Sequence, residues 1–344
     1  MEAVLQRNLN RKTKRINWID MAKGYGILFV IIAHCEVGKL GTWIYTFHLP
    51  LFFIISGYLF TYEKDIKDFL KKKFKTIIFP YFALGVPMIV CSGIGHYVKG
   101  DYSIIDIIVL VLRFIIQKRM WTLWFLACLF CVEFLFYFLF RYLKSLTKLG
   151  LACTFLTLFG YIYYLSGGRS LPWNFDSSWM AITFFYFGFF CKQKSSVFNK
   201  FLDKKLSILL FICSLVLNVI FMFINFKLGF RNLEMFGSSY GFLPLVYTSA
   251  ICGSIAIIIF SKWFTIYPIQ YLGMNSMLYF AWHQTIFRPL VDILMSKLGW
   301  NITDTTPILE IIGYKVVYVA LILILLTACN IVITNTKFRI ILGK

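Results

Sequence analysis

The sequence predicts an all-α fold, a polytopic membrane helix bundle of about ten transmembrane helices plus one short extra helix. The chain has 344 residues, is 60% hydrophobic and only 15% charged, and has a mean hydropathy of +0.76. Soluble domains are nearer half apolar and a quarter charged. Apolar stretches of about 20 residues recur along the chain, and that length crosses a bilayer. We expect one integral-membrane domain over residues 1–344, with a basic segment at 1–15 and a short tail at 336–344.

Ten spans are predicted in chain order. They cover residues 16–35, 43–62, 79–96, 121–140, 149–165, 172–191, 206–226, 241–261, 275–294 and 308–333. The sixth has the weakest pattern, because Asn174 and Asp176 interrupt its start. Residues 103–116 are also apolar, but about 14 residues are too few to cross a bilayer. This stretch is predicted to be a re-entrant or interfacial helix.

The basic residues predict the orientation of the bundle. The net charge is +20, and most of the 35 Lys and Arg residues fall in short clusters that an even number of spans separates. Such clusters mark the cytoplasmic side of a membrane protein. We therefore expect a multi-pass protein of the cell membrane, surrounded by lipid, with both termini in the cytoplasm. The same distribution argues against a nucleic-acid partner, and the sequence gives no indication of the oligomeric state.

The first span carries three ionisable residues that an apolar helix would normally exclude. Lys23 and His34 are eleven residues apart, about three helical turns, so both project from one face, roughly 16 Å apart. Asp20 lies about 40° from that face. Charges at membrane depth usually face the bundle interior and mark a site. One interpretation is a tunnel wall, in which Lys23 holds an anionic group and His34 moves a proton. In the other, Asp20 pairs with Lys23 and His34 makes an interhelical hydrogen bond.

Other polar residues at membrane depth are further candidates. His48 is expected at the same end of the bundle as His34, with Pro50 in the first turn of the next helix. Ser56 and the glycine after it allow close helix approach. Glu133 lies within the fourth span and needs a partner, for which Arg113 is a candidate. His283, in the ninth span, is a further candidate. The histidines lack metal-ligand spacing, so no metal is predicted.

Two stretches resemble the opening of the membrane acyltransferase 3 family, and most closely its fucose 4-O-acetylase-like branch. They are "INWIDMAKGYGILFVIIAHC", with the family's spacing from a basic residue to a histidine at Lys23 and His34, and "FHLPLFFIISGYLF". Weaker likenesses are "LKKKFKTIIFPYF", "LWFLACLF" and "YLGMNSMLYFAWHQTIF", so that the resemblance covers about residues 16–290. The family often has two arginines spaced R-x-x-R before the third span. Here Lys72 and Lys75 keep that spacing, and a lysine binds phosphate as a point charge without the bidentate fork.

The resemblance implies transfer of an acyl group, usually acetyl, from cytoplasmic acetyl-CoA to a sugar hydroxyl of a surface glycan or its lipid-linked precursor. His34 would act as general base, either directly or through an acyl-histidine. Glu36 or Glu133 would orient it, although helical phase puts Glu36 about 200° away. The expected roles are catalytic for His34, His48 and Glu133, donor binding for Lys23, Asp20, Lys72 and Lys75, and acceptor binding for Glu36, Ser56, Trp124 and His283.

Two other functions remain open from the residues alone. The first is a transporter or flippase for a lipid-linked sugar or small solute, because intramembrane charges also occur in transporters. The chain lacks the internal symmetry that is typical of those proteins. A glycan-binding or scaffold protein without chemistry would require the polar residues to be incidental. Binding of acetyl-CoA to the solubilised protein distinguishes the enzyme from both alternatives. The sugar, its hydroxyl and the length of the acyl chain are not predicted.

Overall fold

The computed structural model describes residues 16–99, 103–196, 204–230, 233–300, 302 and 306–343. Within these ranges the regular structure is helical, and a single isolated β-bridge joins Glu234 to Ser239. Seven helices in this part of the chain are long and apolar enough to cross a membrane. The predicted all-α class is therefore confirmed.

The described residues of the first half of the chain form eight α-helices. They are α1 (Asn17–Ala33), α2 (Lys39–Tyr45), α3 (His48–Leu59), α4 (Ile66–Lys73), α5 (Phe79–Lys99), α6 (Ile104–Ile116), α7 (Trp124–Leu143) and α8 (Leu146–Leu165). A π-helix, Phe74–Ile78, joins α4 to α5. The predicted short helix at 103–116 is α6, which Ser103 caps through a capping box with Asp106.

The described part of the second half adds seven more α-helices. They are α9 (Phe175–Gln193), α10 (Lys204–Lys227), α11 (Leu243–Trp263), α12 (Tyr267–Met274), α13 (Ser276–Trp282), α14 (Arg288–Lys297) and α15 (Ile308–Thr334). A 3₁₀ turn, Pro172–Asn174, precedes α9, and its last two residues have left-handed backbone. This is the interruption that Asn174 predicted. A second π-helix, His283–Phe287, joins α13 to α14.

Breaks within predicted spans place two histidines at the start of a new element. The second span is divided into α2 and α3, and His48 is the first residue of α3, with Pro50 in its first turn as predicted. The ninth span is divided into α12, α13, the π-helix and α14, and His283 is the first residue of the π-helix. Single-turn π-helices are frequent at functional sites, because the extra residue rotates the side chains that follow.

Glycines bring two pairs of helices into backbone contact. A Cβ on Gly57 of α3 would lie 1.8 Å from the carbonyl oxygen of Phe185 in α9, and one on Gly188 would lie 1.8 Å from the carbonyl oxygen of Ile54. Gly24 of α1 and Gly273 of α12 have a similar arrangement. Small residues at such crossings are typical of membrane helix packing. The α3–α9 contact confirms the close approach expected at this point of the second span.

Candidate functional site

Three histidines from distant parts of the sequence meet at one end of the bundle. His34 follows the last residue of α1, His48 begins α3, and His283 begins the second π-helix. The ring centroids of His34 and His283 are 5.1 Å apart. Tyr45, at the end of α2, lies between His34 and His48. Its ring centroid is 6.0 Å from that of His34 and 5.1 Å from that of His48. We call His34, His48 and His283 the histidine cluster.

Backbone carbonyls assign the tautomers of two members of the cluster. Nδ1 of His283 lies 3.0 Å from the carbonyl oxygen of Tyr279 and 2.9 Å from that of Phe280. Nδ1 of His48 lies 3.0 Å from the carbonyl oxygen of Ile44. A carbonyl oxygen only accepts hydrogen bonds, so both Nδ1 atoms carry the proton. In the neutral imidazole, Nε2 is then an acceptor on each ring.

The acceptor nitrogen of His283 is buried without a partner. The residue is 2% exposed, and its Nε2 has no hydrogen-bond partner among the residues that the structure describes. His34 is half-buried beside it, and its Nδ1 lies 3.4 Å from the hydroxyl of Tyr45. A buried polar atom without a partner is costly. The cluster therefore presents an unsatisfied hydrogen-bond acceptor that a ligand with a proton to donate could satisfy.

An ion pair closes the rim of the cluster. Glu36 lies two residues after His34, where the chain has left α1 and the backbone is left-handed, with φ 58°. Its carboxylate pairs with Arg288 from the start of α14. Tyr318 of α15 donates to Asp292 at 2.5 Å and to the carbonyl oxygen of Arg288 at 3.4 Å. The carboxylate of Glu36 thus pairs with Arg288. The angle of about 200° from His34 that a continuous helix would give does not apply, because α1 ends before Glu36.

A second network ties three loops together near this end. Arg119 precedes α7, Asp176 lies in the first turn of α9, and Ser238 lies between α10 and α11. Arg119 donates to Asp176 at 2.5 Å and also to Ser238. Burial raises the pKa of the adjacent Tyr240 to about 12, so this phenol keeps its proton at neutral pH. The network holds the loop between α10 and α11, in which Glu234 and Ser239 form the isolated β-bridge.

An aromatic layer lies beneath the cluster. Phe280 is 6.3 Å from His283, 5.1 Å from Phe125 and 6.4 Å from Phe52, measured between ring centroids. We call these three side chains the phenylalanine layer. The ring of Phe52 also covers Gly26 of α1. The layer therefore lies along the path from the lysine end of α1 to its histidine end. Trp124 is buried next to it, with its ring 6.4 Å from that of Phe125.

Several predicted donor-binding residues lie away from the cluster. Lys23 is half-buried on α1 beside the Gly24 crossing, and Asp20 is buried one turn earlier. Lys72 and Lys75 are exposed at the junction of α4 and the first π-helix. Lys72 pairs with Glu63 at 2.6 Å and donates to Thr61 at 2.7 Å. Their role in donor binding stays a prediction.

Two predicted site residues lie outside the cluster. Glu133 forms a buried ion pair with Lys73, whose ammonium also lies 5.8 Å from the ring centroid of Phe69. The prediction that Arg113 is the partner of Glu133 is wrong, because Arg113 is exposed on α6. Ser56 is half-buried on α3, next to the crossing at Gly57.

The site also contains residues that sequence reasoning did not select. Tyr45 and Asp292 occur in ordinary helical patterns and Lys73 within a run of lysines, so nothing in their local sequence distinguished them. Among the residues that the structure describes, no three His, Cys, Asp or Glu side chains are arranged to hold a metal ion.

Comparison with known proteins gives the family. The family model described as "Acyltransferase domain" matches residues 16–327, nearly the whole chain. No curated protein and no solved structure matches the chain. The matched range includes all three members of the histidine cluster and the helices that position them. The chain belongs to the membrane acyltransferase 3 family and is an acyltransferase that transfers groups other than aminoacyl groups.

Proposed function

We propose that this enzyme transfers an acetyl group from cytoplasmic acetyl-CoA to a sugar hydroxyl of a cell-surface polysaccharide or of its lipid-linked precursor. The observation that carries the proposal is that a chain of an acyltransferase family contains the histidine cluster. Its buried imidazoles provide nitrogen lone pairs close to His34, and an acyl acceptor with a hydroxyl group provides the proton donor that those lone pairs need.

The proposed topology has ten spans with both termini in the cytoplasm. Seven spans are the long apolar helices, and the other three are α1, α9 and the series α12 to α14. The basic clusters then fall on the cytoplasmic side and the histidine cluster lies near the opposite surface. Short α6 lies at that surface, where Ile104 and Ile105 are 78% and 70% exposed and can face lipid.

The donor would approach from the cytoplasmic side. Lys23 and the lysines at 72 and 75 would bind the phosphates of CoA, because ammonium groups pair well with phosphate oxygens. Asp20, one turn from Lys23, would position that lysine. The pantetheine arm would then extend along α1 past the phenylalanine layer, which would bring the thioester to His34.

His34 would act as the general base. It takes the proton of the sugar hydroxyl as the hydroxyl oxygen attacks the thioester carbonyl, and the C–S bond then breaks. The proton passes from His34 to the departing CoA sulfur, so the products are the O-acetyl sugar and free CoA. A positioned base of this kind typically speeds a reaction about 10²–10⁴-fold. His48 and His283 would accept hydrogen bonds through their Nε2 lone pairs from other hydroxyls of the same sugar, and Tyr45 would orient His34.

The experiment compares two variants, each with one histidine replaced by alanine. His34→Ala should insert normally and bind acetyl-CoA, seen as a thermal shift of the solubilised protein that free CoA competes, yet lose at least about a hundredfold in transfer. The control is His96→Ala, since His96 is the fourth histidine of the chain and lies on α5. Mass analysis of surface glycans from cells that produce each variant reads the acetyl content. Full acetylation by His34→Ala would refute the catalytic role, and the absence of any acetyl-CoA shift would favour a transporter.

A further inference from the structure

A cavity of about 390 Å³ lies between the end of α14 and the start of α15. Its walls include Trp300, Thr306, Glu310 and Tyr314. The volume falls in the range of small-molecule sites, which combine aromatic surface with a few polar groups. We call it the α14–α15 cavity, and the reaction proposed above does not use it.

The side chains of the cavity have the chemistry of a sugar site. Trp300 is 50% exposed, although burial of an indole is strongly favourable. The flat C–H face of a pyranose ring covers such an indole, while its hydroxyls need acceptors at the edge. Glu310 offers a carboxylate there. The ammonium of Lys315 lies 5.8 Å from the ring centroid of Tyr314, one of the residues that line the cavity.

A chain of side-chain contacts links the cavity to the rim of the histidine cluster. The ring of Tyr314 stacks on that of Tyr318, with centroids 5.9 Å apart. Tyr318 in turn contacts Arg288, which pairs with Glu36, two residues after His34. Tyr314 precedes Tyr318 by one helical turn, about 6 Å along α15. A glycan whose reacting sugar lies at His34 would thus reach the cavity with a neighbouring sugar unit.

We propose that the α14–α15 cavity binds the sugar unit next to the one that is acetylated, and so selects a glycan chain over a free monosaccharide. This proposal rests on the proposed function. A lipid headgroup is the alternative occupant, and it would not depend on the length of the glycan.

The test uses glycan fragments of one, two and three sugars, released from cells that produce the inactive His34→Ala protein. The variants are Trp300→Ala and the conservative Trp300→Tyr. The control is Tyr142→Ala, which removes a 73% exposed ring at the far end of α7. For Trp300→Ala we expect kcat/KM to fall about tenfold on the two- and three-sugar fragments and to stay unchanged on the one-sugar fragment. Trp300→Tyr should retain most of the wild-type value.

Calorimetric binding of the same fragments to His34→Ala, with and without Trp300→Ala, measures the cavity without any transfer. A longer fragment that binds more weakly when Trp300 is removed supports the proposal. Equal losses on one and three sugars, or no loss on any fragment, would overturn it. Failure of the wild type to acetylate any fragment would overturn the proposed function instead, and the binding comparison would still decide the cavity.

Discussion

The buried pair of Lys73 and Glu133 allows a sharp test of what Glu133 does. The sequence made this carboxylate a candidate to orient the catalytic imidazole, whereas the structure pairs it with Lys73. Glu133→Gln removes the charge and keeps the shape of the side chain. If the pair is structural, this variant should be less stable, and the protein that remains folded should transfer acetyl groups normally.

The size of the effect follows from the burial of both groups. Their side chains are 12% and 8% exposed, so neither charge has much access to water. Breaking a buried ion pair by removing one partner typically costs about 3–5 kcal/mol, because the other charge is left uncompensated. Replacing both partners with apolar residues of similar size is often neutral or stabilising. The double variant Lys73→Met, Glu133→Leu should therefore recover most of the stability that Glu133→Gln loses.

The assay measures thermal unfolding of the solubilised protein and acetyl transfer per folded molecule. We expect Glu133→Gln to unfold at a clearly lower temperature than the wild type and the double variant to unfold near it. The double variant should also retain transfer activity. A double variant that is stable but has lost a hundredfold or more in kcat would refute this reasoning and restore Glu133 to the reaction.

Three further predictions concern packing and orientation at the site. Phe280→Leu should enlarge the space beside the histidine cluster and shift the preference between propionyl-CoA and acetyl-CoA about tenfold toward propionyl-CoA in a competition assay. The reason is that one methylene in an apolar pocket changes the preference by about 10–200-fold. The control Phe136→Leu, in another buried aromatic group, should leave that ratio unchanged. Gly57→Ala places a methyl group within 1.8 Å of a carbonyl oxygen and should lower the unfolding temperature and yield, whereas Gly93→Ala meets nothing within 4 Å and should not. Tyr45→Phe removes one hydroxyl contact to His34 and should lower kcat about 2–10-fold without changing the KM for acetyl-CoA, if His34 is the proposed base. An unchanged kcat would exclude an orienting role for Tyr45.

The sequence predicted the parts of the site that depend on local patterns. Lys23 and His34 could be placed on one helix because the apolar run between them has no helix breaker, and α1 is continuous from Asn17 to Ala33. The nearness of His48 followed from the short connection between the first two spans. The contact of both histidines with Tyr45 confirms that nearness.

The remaining site depends on contacts and breaks that leave no local trace. His283 is more than 200 positions from His34 in the chain, and nothing in the local sequence of either residue indicates their contact. The two π-helices each insert one residue into a helical pattern, too small a change to alter its apparent period. Helical phase failed for Glu36 because α1 ends at Ala33, before that residue. Arg113 was the expected partner of Glu133, but the side chain that pairs with Glu133 is Lys73, at the end of α4.

The carbonyl groups that hold His48 and His283 belong to the main chain, one turn before each ring. Substitution of the surrounding side chains, including Tyr279 and Ile44, therefore leaves these two hydrogen bonds in place as long as the helices persist. The side chains around the cluster can therefore change while the two imidazoles keep the same protons. Substrate range can diverge in such a protein without any change in the chemistry of its bases.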